Sequence, residues 1–385
     1  MGEAYIVEAV RTAGGRRNGK LAGWHPADMA GEVLNALVDR TRIDPRAIED
    51  VILGCVSQVG EQSFHIARNA VLASKLPDSV PAVSIDRQCG SSQQAVHFAA
   101  QAVMSGTQDV VIAAGVESMS RVPIGSPTAL AQKAGLGTPW SERILQRYGV
   151  KQFSQFTGAQ MLADKYGFSR EQLDAYALRS HRHAAAAVHA GAFQKEIVPL
   201  KIADGVHTID EGVRFDTSME AIGSVKLLQE PGVLTAANSS QICDGAAAVL
   251  VVNERGLKTH GLQPLARIHN LTVTAGDPVI MLEEPIPATQ RALERSGLRI
   301  ADIDLYEINE AFASVPLAWL KTIDADPERI NVNGGAIALG HPLGASGAKL
   351  MATLVHALRA RGKRYGLQAM CEGGGIANVT IVEAL

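Results

Sequence analysis

The sequence predicts an α/β protein whose sheets are covered on both faces, and three observations lead there. Short β-branched runs alternate with amphipathic helical runs, the rhythm of α/β units. Most of the short runs are apolar throughout instead of alternating, as expected of strands buried on both sides. One long internal stretch carries almost no strand signal and reads as an insertion. The chain has 385 residues, room for two or three packing units of ~100–200 residues each.

Taken in order, strands are expected at 5–11, 51–56, 82–86, 109–114, 247–252, 266–274, 305–308, 365–370 and 378–383. Each is a short run rich in Val, Ile, Leu and Ala between turn residues. Helices are expected at 26–40, 91–105 and 347–358. Pro26 suits a first turn, where its missing N–H costs nothing, and Met29, Val33, Leu34 and Leu37 fall on one face. In the second helix that face carries Ala95, Phe98, Ala99, Ala102 and Val103; in the third, Leu350, Met351, Leu354, Val355 and Leu358. The stretch from 118 to 245 differs. Pro123, Pro127 and Pro139 break it early, and a charged helical pattern follows at 169–189. The strand-rich blocks on either side share a rhythm that hints at duplicated halves.

Composition excludes several classes. Apolar residues make up 46% and charged residues 19%, an ordinary folded mixture. With 36 basic against 39 acidic residues there is no basic stripe for nucleic acid. The longest apolar run, Ala246 to Val252, is far short of the ~20 residues a membrane helix needs. Glu3 and Glu8 in an alternating stretch argue against a cleavable leader. The four cysteines, Cys55, Cys89, Cys243 and Cys371, show no Cys-x-x-Cys spacing, so neither a structural metal site nor a disulfide scaffold is expected. Free thiols point to a reducing cytoplasm.

Four places carry chemistry. Cys89 ends a strand and precedes Gly90 and a serine-started helix. A helix N-terminus stabilises a thiolate, and a thiol with a lowered pKa is a nucleophile. A buried, inert cysteine is the commoner fate of such a residue. His341 lies in the glycine-rich run Gly340-His341-Pro342-Leu343-Gly344, where it can reach a thiol as its base or serve only as a packed histidine. Cys371 precedes Gly373-Gly374-Gly375, which can offer a thiol and free N–H groups for an oxyanion, or merely a turn. Asn309 and Glu310 follow a strand end; buried there, they need partners, and they either orient a ligand or cap a helix.

In this order and spacing, Cys-Gly-Ser, Asn-Glu-Ala-Phe, Gly-His-Pro and Cys-x-Gly-Gly-Gly resemble the thiolase family. The resemblance runs over nearly the whole chain, including Glu117-Ser118-Met119-Ser120 and Asp244-Gly245-Ala246. It implies two similar βαβαβαββ halves packed as a five-layer α/β/α/β/α sandwich with an inserted loop domain. The expected boundaries are 1–117 with 246–267 for the first half, 118–245 for the insertion and 268–385 for the second half.

The resemblance also implies roles. Cys89 would become acylated, His341 would take its proton, and Cys371 would carry the proton to and from the α-carbon. Asn309 would hold a water in one oxyanion hole; the N–H groups of Cys89 and Gly373 would form the other. Ser240 would contact the pantetheine and Arg214 the adenine. Ala311, Phe312, Met281 and Phe156 would bind substrate, with Met281 and Phe312 lining the acyl pocket. Coenzyme A would be a substrate, with no resident cofactor and no metal, and the partners would be acyl-CoA and CoA within a homodimer or homotetramer. The apolar segment at 124–136 would form an oligomer contact or cover the site. The implied reaction is cleavage of a 3-ketoacyl-CoA to acetyl-CoA and a shortened acyl-CoA, or its reverse, in fatty-acid or steroid breakdown. Departures leave the substrate open: Phe156-Thr157-Gly158 stands where biosynthetic thiolases show His-Met-Gly, Gln241 replaces a glycine, and Glu372 replaces a small or apolar residue. Alternatives are an acetoacetyl-CoA-specific biosynthetic enzyme and an inactive acyl-CoA-binding relative. A condensing enzyme with a malonyl donor is disfavoured by Cys371.

Overall fold

Nine strands of four or more residues carry the architecture: β1 (Tyr5–Thr12), β2 (Asp50–Gly54), β3 (Ala82–Ile85), β4 (Val110–Ser118), β5 (Cys243–Val252), β6 (Ala266–Ala275), β7 (Leu305–Ile308), β8 (Tyr365–Glu372) and β9 (Ile376–Ala384). Each falls on an expected run. In the computed structural model, which describes residues 2–385, they form one hydrogen-bonded path of order β7-β8-β9-β6-β1-β5-β4-β2-β3. Strands β4 and β5 run further than expected, because their polar ends stay paired as Glu117↔Gly245 and Ser118↔Asp244. Ser118 N–H donates to Gln62 Oε1 at 2.6 Å, which satisfies the end of that ladder.

The path divides into two sub-sheets of similar build. In the first, β5 runs antiparallel to β4 and β1, and β2 is parallel to β4. In the second, β9 runs antiparallel to β8 and β6, and β7 is parallel to β8. They join where Tyr5 and Ile6 pair with Arg267 and Ala266. The repeat departs from symmetry at one place. The counterpart of β3 is reduced to a bridge between Tyr306 and Ile330. Asn331 follows with φ 45°, which stops the strand. Its side chain replaces the lost ladder, accepting from Ile308 N–H and donating to Ile308 O, both at 2.9 Å.

Three apolar cores separate five layers. Met29, Val33, Leu34 and Leu37 of the Pro26–Thr41 helix pack on Leu53, Ile112 and Leu250 of the outer face. Helices Ser91–Ser105 and Ser346–Ala360 lie between the sub-sheets: Ala95, Val103, Met351 and Leu354 pack with Val111 and Val249 on one side and Ile268 and Val382 on the other. Helices Pro285–Ser296 and Ser314–Ile323 cover the far face with Ile286 and Trp319 over Leu367 and Val379. Successive residues of β4 thus enter different cores, Ile112 one and Val111 the other, which is why the run is apolar throughout.

The two middle helices pack backbone to backbone. A Cβ at Gly347 would fall inside the Gln93 main chain. The Ser91–Ser105 helix is rotated from the expected face. It buries Ala95, Val96, Ala99, Ala100 and Val103, and leaves Phe98 40% exposed.

Between β4 and β5 the chain is mainly helical, with Ser126–Lys133, Glu142–Tyr148, Gln155–Tyr166 and Arg170–His189. Ser169 starts the last of these through a capping box with Gln172. Buried Arg11 on β1 ties this region down, bonding Glu196 at 2.6 Å and Asp210 at 2.8 Å. Among the described residues no helix is long and apolar enough to cross a membrane. All four cysteines are free.

Candidate active site

Cys89 occupies the turn between β3 and the Ser91–Ser105 helix. Gln88 takes φ 49°, and Ser91 Oγ donates to Gln88 O at 2.6 Å while accepting from Arg87 N–H at 2.9 Å. Gly90 is required here, because a Cβ would overlap the Glu372 carboxyl. Cys371 and Glu372 end β8, and strand alternation sends their side chains to opposite faces. Asn309 follows β7, the parallel neighbour of β8, and its N–H donates to Ala369 O at 3.0 Å. His341 follows the short Ala336–Leu339 helix, and its N–H donates to Gln241 O at 3.0 Å.

The His341 ring is held at both nitrogens. Nδ1 lies 2.5 Å from Ser346 Oγ, and Nε2 lies 3.5 Å from Asn309 Nδ2. Ser346 donates its hydroxyl proton to Pro342 O at 2.9 Å. With that proton committed, Nδ1 carries the ring hydrogen and Nε2 keeps the lone pair, an assignment made from the network. Lys349 steadies the loop from below, donating to Leu339 O at 2.5 Å and Gly340 O at 3.2 Å.

Burial sets the protonation states. It pushes the Cys89 thiol well up, and nearby Cys371 and Glu372 add to the effect. Burial pushes Cys371 up to about 12, with Glu372 adding to it and the Asn309 side chain opposing it. Burial, then the Lys349 charge, brings His341 down to about 3. The lowered thiol pKa expected for Cys89 is therefore reversed. A helix end contributes about 0.3–1 kcal/mol, whereas burying a charged form shifts a pKa by up to about 3–5 units. The resting site holds two protonated thiols and a neutral base.

Two clefts flank this group. One, of about 870 Å³, is lined by Cys89, Gly373, Met281, Ile124, Trp140 and Phe153 among others. Ile124 thus stands on a wall of the site, while Leu136 is exposed. The other, of about 670 Å³, is lined by Arg16, Arg17, Phe156, Arg214, Ser239 and Ser240 among others. Ala311 and Phe312 are buried. Ala311 O accepts from Ser240 N–H at 2.9 Å. Phe312 does not join Met281 on the larger cleft; it supports Phe156 edge-to-face, with centroids 5.6 Å apart. Gln241 bridges the insertion to the His341 loop through Gly212 O and Ile337 O, which gives the replaced glycine a use.

Two buried carboxyls hold the loops that carry these groups. Glu117 accepts from the N–H groups of Val56, Ser57 and Gly344 and from Gln62 Nε2, all at 2.9–3.0 Å. Glu310 accepts from Tyr176, Ser180, Asn331 and the Ile337 N–H. Its expected need for partners is met by a clamp instead of a helix cap. The Glu117 clamp had no local signal, since its partners come from distant segments, whereas the Ser346 contact lies five residues from His341 in the same loop and was missed.

A paired-cysteine, histidine and asparagine site at the meeting of two α/β halves defines an acyl-transferring enzyme. The chain belongs to the thiolase family: residues 4–255 match the thiolase N-terminal domain and residues 262–384 the thiolase C-terminal domain. It is 54% identical over 387 residues to the steroid 3-ketoacyl-CoA thiolase FadA6 of Mycobacterium tuberculosis, covering 100% of this chain and 95% of that protein. It is 41% identical to a 3-ketoacyl-CoA thiolase of Citrobacter koseri, over 100% and 99% of the two chains. The crystal structure of the Bacillus anthracis acetyl-CoA acetyltransferase superposes with a TM-score of 0.90 at 36% identity, over 100% of this chain and 99% of that one.

Proposed function

We propose that this thiolase cleaves a 3-ketoacyl-CoA with CoA through an acyl group on Cys89, running the reverse condensation at the same site. The observation that carries the reading is the neutral His341 held by Ser346 and Asn309 at a site with two protonated cysteines. Cys89 Sγ attacks the 3-keto carbon as its proton passes to His341 Nε2. The C2–C3 bond breaks, its electron pair forms the enolate of acetyl-CoA, and Cys371 delivers its thiol proton to C2. Incoming CoA gives its proton to the Cys371 thiolate and attacks the acyl-Cys89 thioester. The released Cys89 thiolate recovers its proton from His341. Asn309 with His341, and the N–H groups of Cys89 and Gly373, serve the two oxyanions; each donor of this kind is worth about 2.7–4 kcal/mol.

Coenzyme A acts as substrate along the cleft of Ser240, Phe156 and Arg214, with Ala311 and Phe312 supporting its floor. The larger cleft receives the acyl group. Its volume of about 870 Å³ favours a ring-bearing chain over an acetoacetyl group, as does the steroid substrate in the name of the Mycobacterium tuberculosis relative. The site needs no resident cofactor. The reading includes a cytoplasmic homodimer or homotetramer, supported by the four free thiols and by Val83 exposed on the edge strand β3. Intact-protein mass after brief exposure to acetoacetyl-CoA and to a ring-bearing 3-ketoacyl-CoA, with peptide mapping, tests it. An acyl adduct on Cys89 with a higher kcat/KM for the larger thioester is expected. Preference for acetoacetyl-CoA would favour a biosynthetic role, and CoA binding without any adduct would indicate an inactive relative.

A further inference from the structure

The face of β8 and β9 that looks toward the middle layer carries Gln368, Glu372, Asn378 and Thr380, against Gln93, Gln94 and His97 of the Ser91–Ser105 helix. Five buried atoms in this polar layer have no hydrogen-bond partner among the described residues: Gln93 Oε1, Gln368 Oε1, Asn378 Oδ1 and both Glu372 oxygens. All five are acceptors, so the layer lacks a proton. Glu372 is the one carboxyl of the layer; its other titratable member, His97, has both ring nitrogens engaged by Thr380 and Asn378. The Glu372 carboxyl is fully buried and lies against Gly90, in the turn that presents Cys89, and it adjoins Cys371 in the chain.

We propose that Glu372 is a positioning residue for both thiols: as a neutral acid it seats the Gly90 turn, and as a carboxylate it opposes thiolate formation at Cys89 and Cys371. The inference deepens the thiolase reading and rests on it for its meaning. Burial raises this carboxyl to about 8, with the Arg87 charge opposing. An added negative charge beside a thiol disfavours its thiolate. The other groups facing the turn are Asp86, Arg87, Glu117 and His97, and burial holds His97 down at about 3. His341 and Cys371, at about 3 and about 12, titrate well away from this range.

The test follows Cys89 with iodoacetamide from about pH 6 to about pH 10, with peptide mass separating it from the other thiols. The wild-type rate is expected to climb, then break near about 8 as Glu372 ionises. Glu372→Gln climbs through without the break and reacts about tenfold faster at the alkaline end, the effect of one pKa unit. A wild-type curve with no break, or the same break in Glu372→Gln, overturns the proposal. Glu372→Asp keeps a titrating carboxyl and is expected to retain a displaced break; losing it would also overturn the proposal. If Glu372→Gln does not fold, the wild-type curve still decides. The assay uses no thioester, so failure of the thiolase reading leaves its outcome intact.

Discussion

Ser346 Oγ and His341 Nδ1 lie 2.5 Å apart, and that contact fixes which ring nitrogen is free to take a proton. Ser346→Ala leaves a buried ring N–H unpaired, at a cost of about 1–3 kcal/mol, enough to disfavour the working tautomer. Acylation of Cys89 in single turnover is expected to slow by about tenfold or more with KM little changed. An unchanged acylation rate would remove Ser346 from the mechanism.

The two cysteines are expected to separate by experiment. Cys89→Ala abolishes the covalent acyl adduct, and an adduct found elsewhere would reassign the nucleophile. Cys371→Ala still accepts an acyl group from a simple acyl-CoA but does not cleave the carbon–carbon bond. Equal loss of both steps would show that the roles are shared.

Glu117 joins three segments far apart in sequence. Glu117→Gln keeps the shape but turns an amide N–H₂ toward groups that are themselves donors. A stability loss of about 1–3 kcal/mol is expected, read as a lower urea midpoint at an unchanged m-value. A midpoint within error of wild type would mean the loops are held by packing alone.

Three buried histidines act on acid stability with a definite sign. Burial holds His97 and His341 down at about 3 and His181 at about 4, against 6.5 for the exposed side chain. Below 6.5 the unfolded chain binds protons at these sites that the folded chain refuses, so the three histidines lower stability as pH falls from 6.5 toward 3–4, against the opposite pull of Glu372, raised to about 8. Each such histidine removes about 1.4 kcal/mol per pH unit in that window. Urea midpoints of wild type and of His97→Gln, measured from neutral to about pH 5, check this; the gap between them is expected to shift in the variant's favour on acidification, and a gap constant with pH would contradict it.

All nine strands and the middle helices were legible because their apolar periodicity is local, and each run is its own evidence. The Cys89, Asn309, His341 and Cys371 motifs were legible too, since each pairs a reactive side chain with its own turn residues. The buried face of the Ser91–Ser105 helix was not. Phe98 looks like core by character, yet it is exposed, because tertiary packing and not the helix's own pattern decides which face is covered. The Cys89 thiol was misjudged for the same reason. A helix end is visible in sequence, but the burial that outweighs it is not, and Cys371 and Glu372, which add to it, lie 282 residues or more along the chain. Glu117 acts through contacts to distant segments that no local pattern announces.

Gly347 gives the site its spacing. Cys89 precedes one middle helix and His341 the other, so the proposed nucleophile and base belong to separate bodies that touch where Gly347 meets the Gln93 main chain. A single methyl group added there would wedge the two helices apart and carry the thiol away from the imidazole. The reach of one proton transfer is therefore gauged by an atom that the sequence leaves out.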